Sequence, residues 1–337
     1  MSGPTGPCVI TIGNFDGVHR GHQRIVATAR RIASPRNARV VAMTFDPHPA
    51  VLLRPGEAPL SIVTLDERVR LLRAAGADQV EVVRVTDSFL HIEAEAFLHQ
   101  LAREFSPIAI VEGRAFRFGH DRRGDVAMID RLGRELGFTA APVDSVEVVT
   151  LDQLLAPVSS SLVRWLIAQG RMMDAALCLG RPFAITGVVA RGEQRGRRLG
   201  VPTINLNAAD LPGRVLPADG VYAGRVLLHH DAAEGVAPPA IHHAAISVGV
   251  KPTFGLRGRV IEAHLLDTPT GLDLYDRTVT VRFIRWLRDQ HAFPGIDALR
   301  AQIGRDIAAV RTLAESGKLT HPSLAADLTG SLQRLAG

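Results

Sequence analysis

The pattern of apolar residues changes near residue 180, and this change constrains the fold more than any other feature of the sequence. Before it, short apolar runs alternate with segments that carry apolar residues at helical spacing. Such alternation predicts parallel strands joined by crossover helices, and therefore an open, doubly wound parallel sheet. The predicted strands are Val9–Ile12, Arg39–Phe45, Gln79–Val85 and Ile108–Val111, and the clearest predicted helices are Arg20–Ala33 and Ala94–Glu104.

After residue 180, β-branched runs are separated by Gly, Pro and Asp, which is typical of an antiparallel β-barrel or sandwich. Two short helical segments precede the change, and one helix with a single apolar stripe is predicted at residues 296–315. We therefore expect two domains, residues 1–180 and 181–337, which suits the chain length. The predicted strands of the second are Ala184–Ala190, Val221–Leu228, Ala244–Val248, Val260–Leu266 and Thr278–Trp286.

Composition excludes several classes of protein. The only lysines, Lys251 and Lys318, do not precede Ser or Thr, which excludes a Walker-type phosphate loop. Cys8 and Cys178 are isolated, so neither a disulfide framework nor a thiolate metal cluster is expected. The net charge of +5 is dispersed and aromatics are few, so we expect no nucleic-acid partner. The sequence shows no signal-peptide pattern and no long apolar run, so we expect a cytoplasmic protein without a membrane partner. We expect a monomer or a transient homo-oligomer.

The most informative local motif follows the first predicted strand, where residues 13–22 read Gly-Asn-Phe-Asp-Gly-Val-His-Arg-Gly-His. His19 and His22 are three residues apart at a helix start, so they share one helix face. Free backbone amides and the positive end of the helix dipole favour an anion there, and Gly21 lets a phosphate approach closely. The motif predicts a site for the triphosphate of ATP. The alternatives are a solvated or capping histidine, or a metal pair without an evident third ligand.

This motif resembles the HxGH nucleotidyltransferases and, more narrowly, the start of the bacterial bifunctional riboflavin kinase/FAD synthetase family. Residues 44–49, 116–125 and 158–164 agree with that family in order and spacing. The resemblance implies that the first domain adenylylates FMN with ATP. It implies catalytic roles for His19 and His22, ATP contacts from Gly13, Asn14, Phe15, Asp16, Ser160, Ser161 and Arg164, and flavin contacts from Phe45, Pro47, His48, Phe116, Phe118 and Asp125.

One position departs from the family pattern. The family carries Asp or Asn before the Phe-x-Phe-Gly element, whereas this chain has Ala115 there, preceded by Arg114. Two interpretations stay open, a tolerated variant and a weakened FMN adenylylation.

The second half contains a glycine- and arginine-rich stretch that ends in Pro-Thr-Ile-Asn at residues 202–205. Glycines at 192, 196 and 200 could form a loop around phosphates, although a glycine-rich turn between strands has the same pattern. Thr203 and Asn205 are two residues apart on an extended chain, so both side chains project from one face. A hydroxyl and an amide oxygen are hard ligands that suit Mg²⁺ beside substrate phosphates.

This stretch, together with residues 247–255 and 261–267, resembles the riboflavin kinase signature. The resemblance implies that the second domain phosphorylates riboflavin, with Glu262 as the base that takes the ribityl 5′-hydroxyl proton. The local alternative is an exposed strand glutamate. It also implies ATP contacts from Gly192, Gly196, Gly200 and Thr203, Mg²⁺ on Thr203 and Asn205, and riboflavin, FMN and FAD as substrates and products. The alternative functions are a riboflavin kinase alone, or a non-catalytic regulator that binds flavin or RNA.

Overall fold

The computed structural model describes residues 6–191, 201–229, 239–250, 259–268 and 272–319. The glycine-rich loop with Gly192, Gly196 and Gly200 therefore lies outside the described residues. Contacts divide the chain into two compact units, Met1–Ser160 and Ser161–Gly337. The domain boundary at residue 180 stays a prediction.

The first unit contains a parallel sheet that confirms the doubly wound architecture. Its strands are β1 Cys8–Ile12, β2 Arg39–Asp46, β3 Gln79–Arg84, β4 Pro107–Gly113 and β5 Thr139–Val143. The order in the sheet is β3-β2-β1-β4-β5, with every neighbouring pair parallel. The order reverses between β1 and β4, and ligands of such sheets bind at the carboxyl ends of the strands beside that reversal.

Long helices cover both faces of this sheet because each of them carries one apolar stripe, and short helices of a single turn lie in the connections between strands. They are α1 Arg20–Ala33, α2 Ala50–Leu53, α3 Leu65–Ala74, α4 Asp87–Leu90, α5 Ala94–Phe105 and α6 Val126–Leu136. One core contains α1 and α3 residues such as Val26 and Leu72, and the other contains α5 and α6 residues such as Leu98 and Ile129. A small hairpin, β6 Glu147–Val149 and β7 Leu155–Pro157, follows.

The second unit is an antiparallel sheet with a terminal helix, as predicted. Helix α7 Ser160–Ala168, which starts at the last residue of the first unit, and helix α8 Met172–Leu179 precede the sheet, and α9 Ile296–Glu315 follows it. The strands are β8 Phe183–Val188, β9 Ile204–Asn207, β10 Gly220–Leu228, β11 Ala240–Val250, β12 Arg259–Leu265 and β13 Thr278–Arg288.

The two edges of this sheet approach each other, so the sheet forms a partly closed barrel. Its order is β8-β13-β10-β11-β12-β9, and the Ala190 N–H just after β8 donates to the carbonyl of Asn205 in β9 at 2.9 Å. Apolar strand residues fill the interior, where the Tyr222 and Phe283 rings meet edge to face. Helix α9 packs its Val310 in one cluster with Ala223 of β10. Within the described residues, no helix has the length and apolar character needed to cross a membrane.

Candidate active sites

The β1–α1 loop, residues 13–19, lies where the strand order of the first sheet reverses. The Gly13 N–H donates to the Met43 carbonyl of β2 at 3.0 Å, which fixes the start of the loop. Phe15 and Val18 have φ of 47° and 39°, and Gly17 has φ of 81°. Left-handed backbone is costly for a β-branched valine, so the surrounding structure must hold this loop in shape. The loop delivers the chain to the amino end of α1.

His19 and His22 stack on each other at that end of the helix. Their ring centroids are 3.6 Å apart with planes 18° from parallel, and His19 Nδ1 accepts the His22 N–H at 3.4 Å. A Cβ at Gly21 would lie 3.1 Å from His19 Cε1, so glycine leaves room for this arrangement. Burial, followed by the nearby His19 and Arg68, lowers the pKa of His22 well below its usual range. His22 is therefore a neutral imidazole at physiological pH and contributes hydrogen bonding rather than charge.

The side chains of two residues predicted to bind ATP, Asp16 and Ser160, make hydrogen bonds to the backbone of the first unit. The buried Asp16 carboxylate accepts the N–H groups of Ile62, at 3.0 and 3.1 Å, and Val63, at 3.3 Å. The Ser160 hydroxyl donates to the Asp16 carbonyl at 2.8 Å. The family resemblance implied ATP contacts for both residues, and in the structure their side chains bond to backbone groups. Ser161 follows on the first turn of α7, and Arg164 lies one turn further along the helix.

The predicted flavin residues fall into two groups. Phe45 at the end of β2 contacts Phe89 at 5.6 Å between centroids, and Phe116 stacks on Phe118 at 5.5 Å. Phe118 is only 8% exposed and belongs to the core that α5 and α6 share, whereas Phe45 and Phe116 are partly buried at its edge. The edge rings are therefore the ones that can offer a face to a planar ligand.

Polar members of the predicted flavin set stabilise helix starts. Asp125 is the N-cap of α6 and accepts the Met128 N–H at 2.9 Å. In the β2–α2 turn, residues 47–49, the His48 Nδ1 accepts the Ala50 N–H at 3.1 Å, and Pro47 precedes it. Asp is a favoured N-cap residue, whereas the His48 bond lies within the turn before α2, whose N-cap is Pro49.

Ala115 is exposed in the turn after β4. Its neighbour Arg114 does not replace the polar side chain of the family pattern, because its Nε is paired with Asp144 Oδ1 at 2.5 Å. That ion pair lowers the pKa of Asp144.

Two buried polar residues beside the β1–α1 loop were not predicted from the sequence. Glu112 of β4 is 3% exposed, and its carboxylate accepts the Ile12 N–H and, at 3.5 Å, the Thr11 hydroxyl. Burial raises the pKa of Glu112 well above its usual range. Arg68 of α3 is 5% exposed and donates to β2. A glutamate directly at the end of the apolar run Ile108–Val111 was a visible signal for Glu112, whereas no local signal marked Arg68.

In the second unit, three polar residues lie side by side on three strands. Asn205 of β9 is directly opposite Glu262 of β12, which is directly opposite Ser247 of β11. Paired residues project from the same face, so these three side chains form a row. Gln290 extends it, because its Nε2 donates to Ser247 Oγ at 3.0 Å. Thr203, just before β9, is two residues from Asn205 along the chain.

The chain matches two families of known proteins. Residues 3–160 match the FAD synthetase family, and residues 179–314 match the riboflavin kinase family. The bifunctional riboflavin kinase/FMN adenylyltransferase of Escherichia coli strain K12 is 35% identical over 322 residues, which cover 95% of this chain and 96% of that protein. The Pseudomonas fluorescens protein of the same name is 36% identical over 309 residues, covering 91% and 93%.

A solved structure extends the likeness to the fold of nearly the whole chain. A Streptococcus pneumoniae structure described as a macrolide-efflux protein has a TM-score of 0.79 and 28% identity, covering 92% of this chain and 95% of that one. The word efflux in that description refers to the Streptococcus pneumoniae protein and is not carried over to this chain. The two family matches and the curated relatives agree on flavin chemistry, and the chain belongs to the bifunctional riboflavin kinase/FMN adenylyltransferase family, with both the FAD synthetase and the riboflavin kinase domain present.

Proposed function

We propose that the chain makes FAD from riboflavin in two steps. In the first, the riboflavin 5′-hydroxyl oxygen attacks the γ-phosphorus of ATP, giving FMN and ADP. In the second, an FMN phosphate oxygen attacks the α-phosphorus of another ATP, the bond to the β-phosphate breaks, and FAD and pyrophosphate form. Membership in the family and the presence of both domains support this proposal.

The observation that carries the kinase step is the pairing of Glu262 with Asn205 across β12 and β9. Glu262 accepts the proton of the ribityl 5′-hydroxyl as general base. Thr203 and Asn205 hold Mg²⁺, whose charge, when it is bound, neutralises the ATP phosphates. Among the described residues no three His, Cys, Asp or Glu side chains could hold a metal, but Mg²⁺ beside phosphates needs only one or two protein oxygens. Thr203 and the glycines at 192, 196 and 200 complete the ATP site.

For FMN adenylylation we propose positioning rather than covalent catalysis by the protein. The amino end of α1, with the backbone of Gly13, Asn14 and Phe15, receives the phosphates, and His19 and His22 donate to them. Ser161 and Arg164 at the start of α7 bind the departing pyrophosphate. Asp16 and Ser160 contribute by holding the β1–α1 loop.

For the flavin we propose that the rings of Phe45 and Phe116 contact the isoalloxazine, since planar aromatic surfaces stack on one another. Pro47 and His48 border that site. Phe118 and Asp125 support it from the core and from the start of α6, so their part is indirect.

The decisive experiment supplies riboflavin, ATP and Mg²⁺ and follows the flavins by chromatography. We expect FMN to appear first and FAD later, with FAD also made from FMN and ATP directly. FMN without FAD would favour the kinase-only alternative, which Ala115 keeps open. Binding of flavin without formation of FMN or FAD would favour the alternative of a non-catalytic regulator.

Other expectations from the sequence have no direct structural counterpart. The cytoplasmic location, the lack of nucleic-acid and membrane partners, and the monomeric or transiently oligomeric state stay predictions. Light scattering during size-exclusion chromatography, with and without FMN, measures the last of these.

A further inference from the structure

Arg68 is a buried arginine with contacts to two parts of the first unit. Its Nη1 donates to the Thr44 hydroxyl at 3.2 Å and to the Phe45 carbonyl at 2.9 Å, both at the end of β2. The Thr44 hydroxyl in turn donates to the Asn14 carbonyl in the β1–α1 loop at 3.1 Å. The Arg68 guanidinium is therefore linked to two places. It is linked to the β1–α1 loop through the Thr44 hydroxyl, and it bonds directly to the end of β2, which leads into the β2–α2 turn.

The helix that carries Arg68 is itself fastened to the β1–α1 loop. The Asp16 carboxylate binds the N–H groups of Ile62 and Val63, immediately before α3. Thr64 then caps α3, with its hydroxyl accepting the Glu67 N–H at 3.2 Å and the Glu67 carboxylate accepting the Thr64 N–H at 2.9 Å. The hydrogen bonds thus form a closed circuit that leaves the loop at Asp16, passes through α3 and β2, and returns at Asn14.

Two residues of the circuit, and one close to it, carry buried polar atoms without a partner in the part of the chain that the structure describes. Arg68 Nε, Asn14 Oδ1 and His22 Nδ1 are buried, and each lacks a hydrogen-bond partner among the described residues. Unsatisfied buried groups are rare and call for an explanation such as a ligand or a catalytic role. Burial lowers the pKa of Arg68, while the charges of Asp16 and Asp46 raise it. The negative charges of these two carboxylates thus act on the guanidinium from the β1–α1 loop and from the end of β2.

On the basis of the proposed adenylyltransferase function, we propose that Arg68 is a positioning residue for FMN adenylylation, which fixes the β1–α1 loop relative to the end of β2. The loop would hold ATP and the β2–α2 turn would border the flavin, so this spacing sets the in-line approach of the FMN phosphate to the α-phosphorus. Arg68 acts through Thr44 and the backbone and does not touch the reacting atoms.

The test compares R68M, which removes the donors, with R68K, which keeps a charge and can donate to both oxygens. A displacement of about 1 Å can lower a rate by about 100-fold, so we expect R68M to reduce kcat for FAD formation by roughly 10- to 100-fold. KM for ATP and for FMN should change far less than kcat, and R68K should recover a large part of the loss. The control is R70M, an exposed arginine on the same helix, which should leave both reactions unchanged.

T44V provides a second, independent variant, since it removes only the hydroxyl between Arg68 and Asn14. We expect T44V to lower kcat for FAD formation. The double variant R68M/T44V should be no slower than R68M, because the two substitutions break the same circuit of hydrogen bonds. Wild-type kcat in R68M or in T44V, or additive losses in the double variant, would overturn the proposal. Riboflavin phosphorylation by each variant shows that the second domain is intact. Absence of FAD formation in the wild-type enzyme would instead refute the proposed function itself.

Discussion

Asn205 of β9 and Glu262 of β12 are direct cross-strand partners, so an amide and a carboxylate lie side by side on one face of the barrel. Cβ atoms of such pairs are about 4.5–5.5 Å apart. A metal held by the amide oxygen and a base that accepts a hydroxyl proton can therefore serve the same phosphoryl transfer. The closing contact of the barrel, from Ala190 to the Asn205 carbonyl, fixes β9 at this position.

We predict that E262Q strongly slows riboflavin phosphorylation and leaves FMN adenylylation intact. Glutamine has nearly the shape of glutamate but cannot accept the hydroxyl proton, and loss of a general base lowers rates by about 10²- to 10⁴-fold. Chromatography of flavins formed from riboflavin, and separately from supplied FMN, measures the two reactions. The control is E315Q, an exposed glutamate at the end of α9. If E262Q phosphorylates riboflavin at the wild-type rate, Glu262 is not the base.

We predict that N205A raises the Mg²⁺ concentration needed for half-maximal riboflavin phosphorylation. Alanine removes one of the two oxygens assigned to the metal. Loss of a residue that only supports a ligand typically weakens metal affinity by about 10- to 100-fold, so loss of the Asn205 oxygen should weaken it at least as much. A Mg²⁺ titration at saturating ATP and riboflavin measures the shift. The exposed neighbour N207A is the control. An unchanged titration midpoint in N205A would remove Asn205 from the metal site.

We predict that A115D changes FAD formation little. Residue 115 is exposed, and surface substitutions typically alter the free energy of unfolding by no more than about 0.5 kcal/mol, so the first unit should keep its fold. Steady-state kinetics with FMN and ATP provide the comparison. A large rise in FAD formation on introducing the aspartate would show that Ala115 impairs the first domain and would support the kinase-only alternative.

We predict that S160A raises KM for ATP in FAD formation and not in riboflavin phosphorylation. The Ser160 hydroxyl donates to the Asp16 carbonyl at 2.8 Å within the first unit, and a hydrogen bond of this kind contributes about 1 kcal/mol. Without it the β1–α1 loop is held less firmly where the phosphates would bind. S145A, an exposed serine of the same unit, is the control. Equal KM values for S160A and the wild-type enzyme would contradict the positioning role of Ser160.

The helices and strands were predictable wherever their residues follow a periodic apolar pattern. Helix α1 has the predicted bounds, Arg20–Ala33, because its buried residues recur at helical spacing. Strand β5 was missed because Thr139–Val143 contains two alanines and a proline, which are poor strand formers. Helix α3 was also missed, although the Thr64 and Glu67 capping box marked its start.

The destinations of polar side chains were less predictable than the elements. Sequence spacing brought Asp16 to the nucleotide loop, but nothing nearby in the chain shows that its carboxylate accepts N–H groups at residues 62 and 63. Arg68 likewise bonds to residues more than 20 positions away. Hydrogen bonds between distant segments depend on the tertiary fold, and a local pattern carries no information about them.

Finally, we predict that Glu112 makes the stability of the first unit depend on pH. Burial raises the pKa of Glu112 above its ordinary value of 4.5. At a pH between 4.5 and this raised pKa, the native state therefore binds a proton that the unfolded state lacks. The free energy of unfolding therefore falls as pH rises through that interval.

The variant E112Q still accepts the Ile12 N–H but does not ionise. It should therefore remove this pH dependence and be at least as stable as the wild-type protein at the upper end of that pH interval. E112L leaves that N–H unsatisfied and should cost about 1–3 kcal/mol. Hydrogen exchange of residues 8–12 between pH 5 and 8 measures these changes locally, with the exposed E147Q as control. A wild-type slope in E112Q would show that another group titrates.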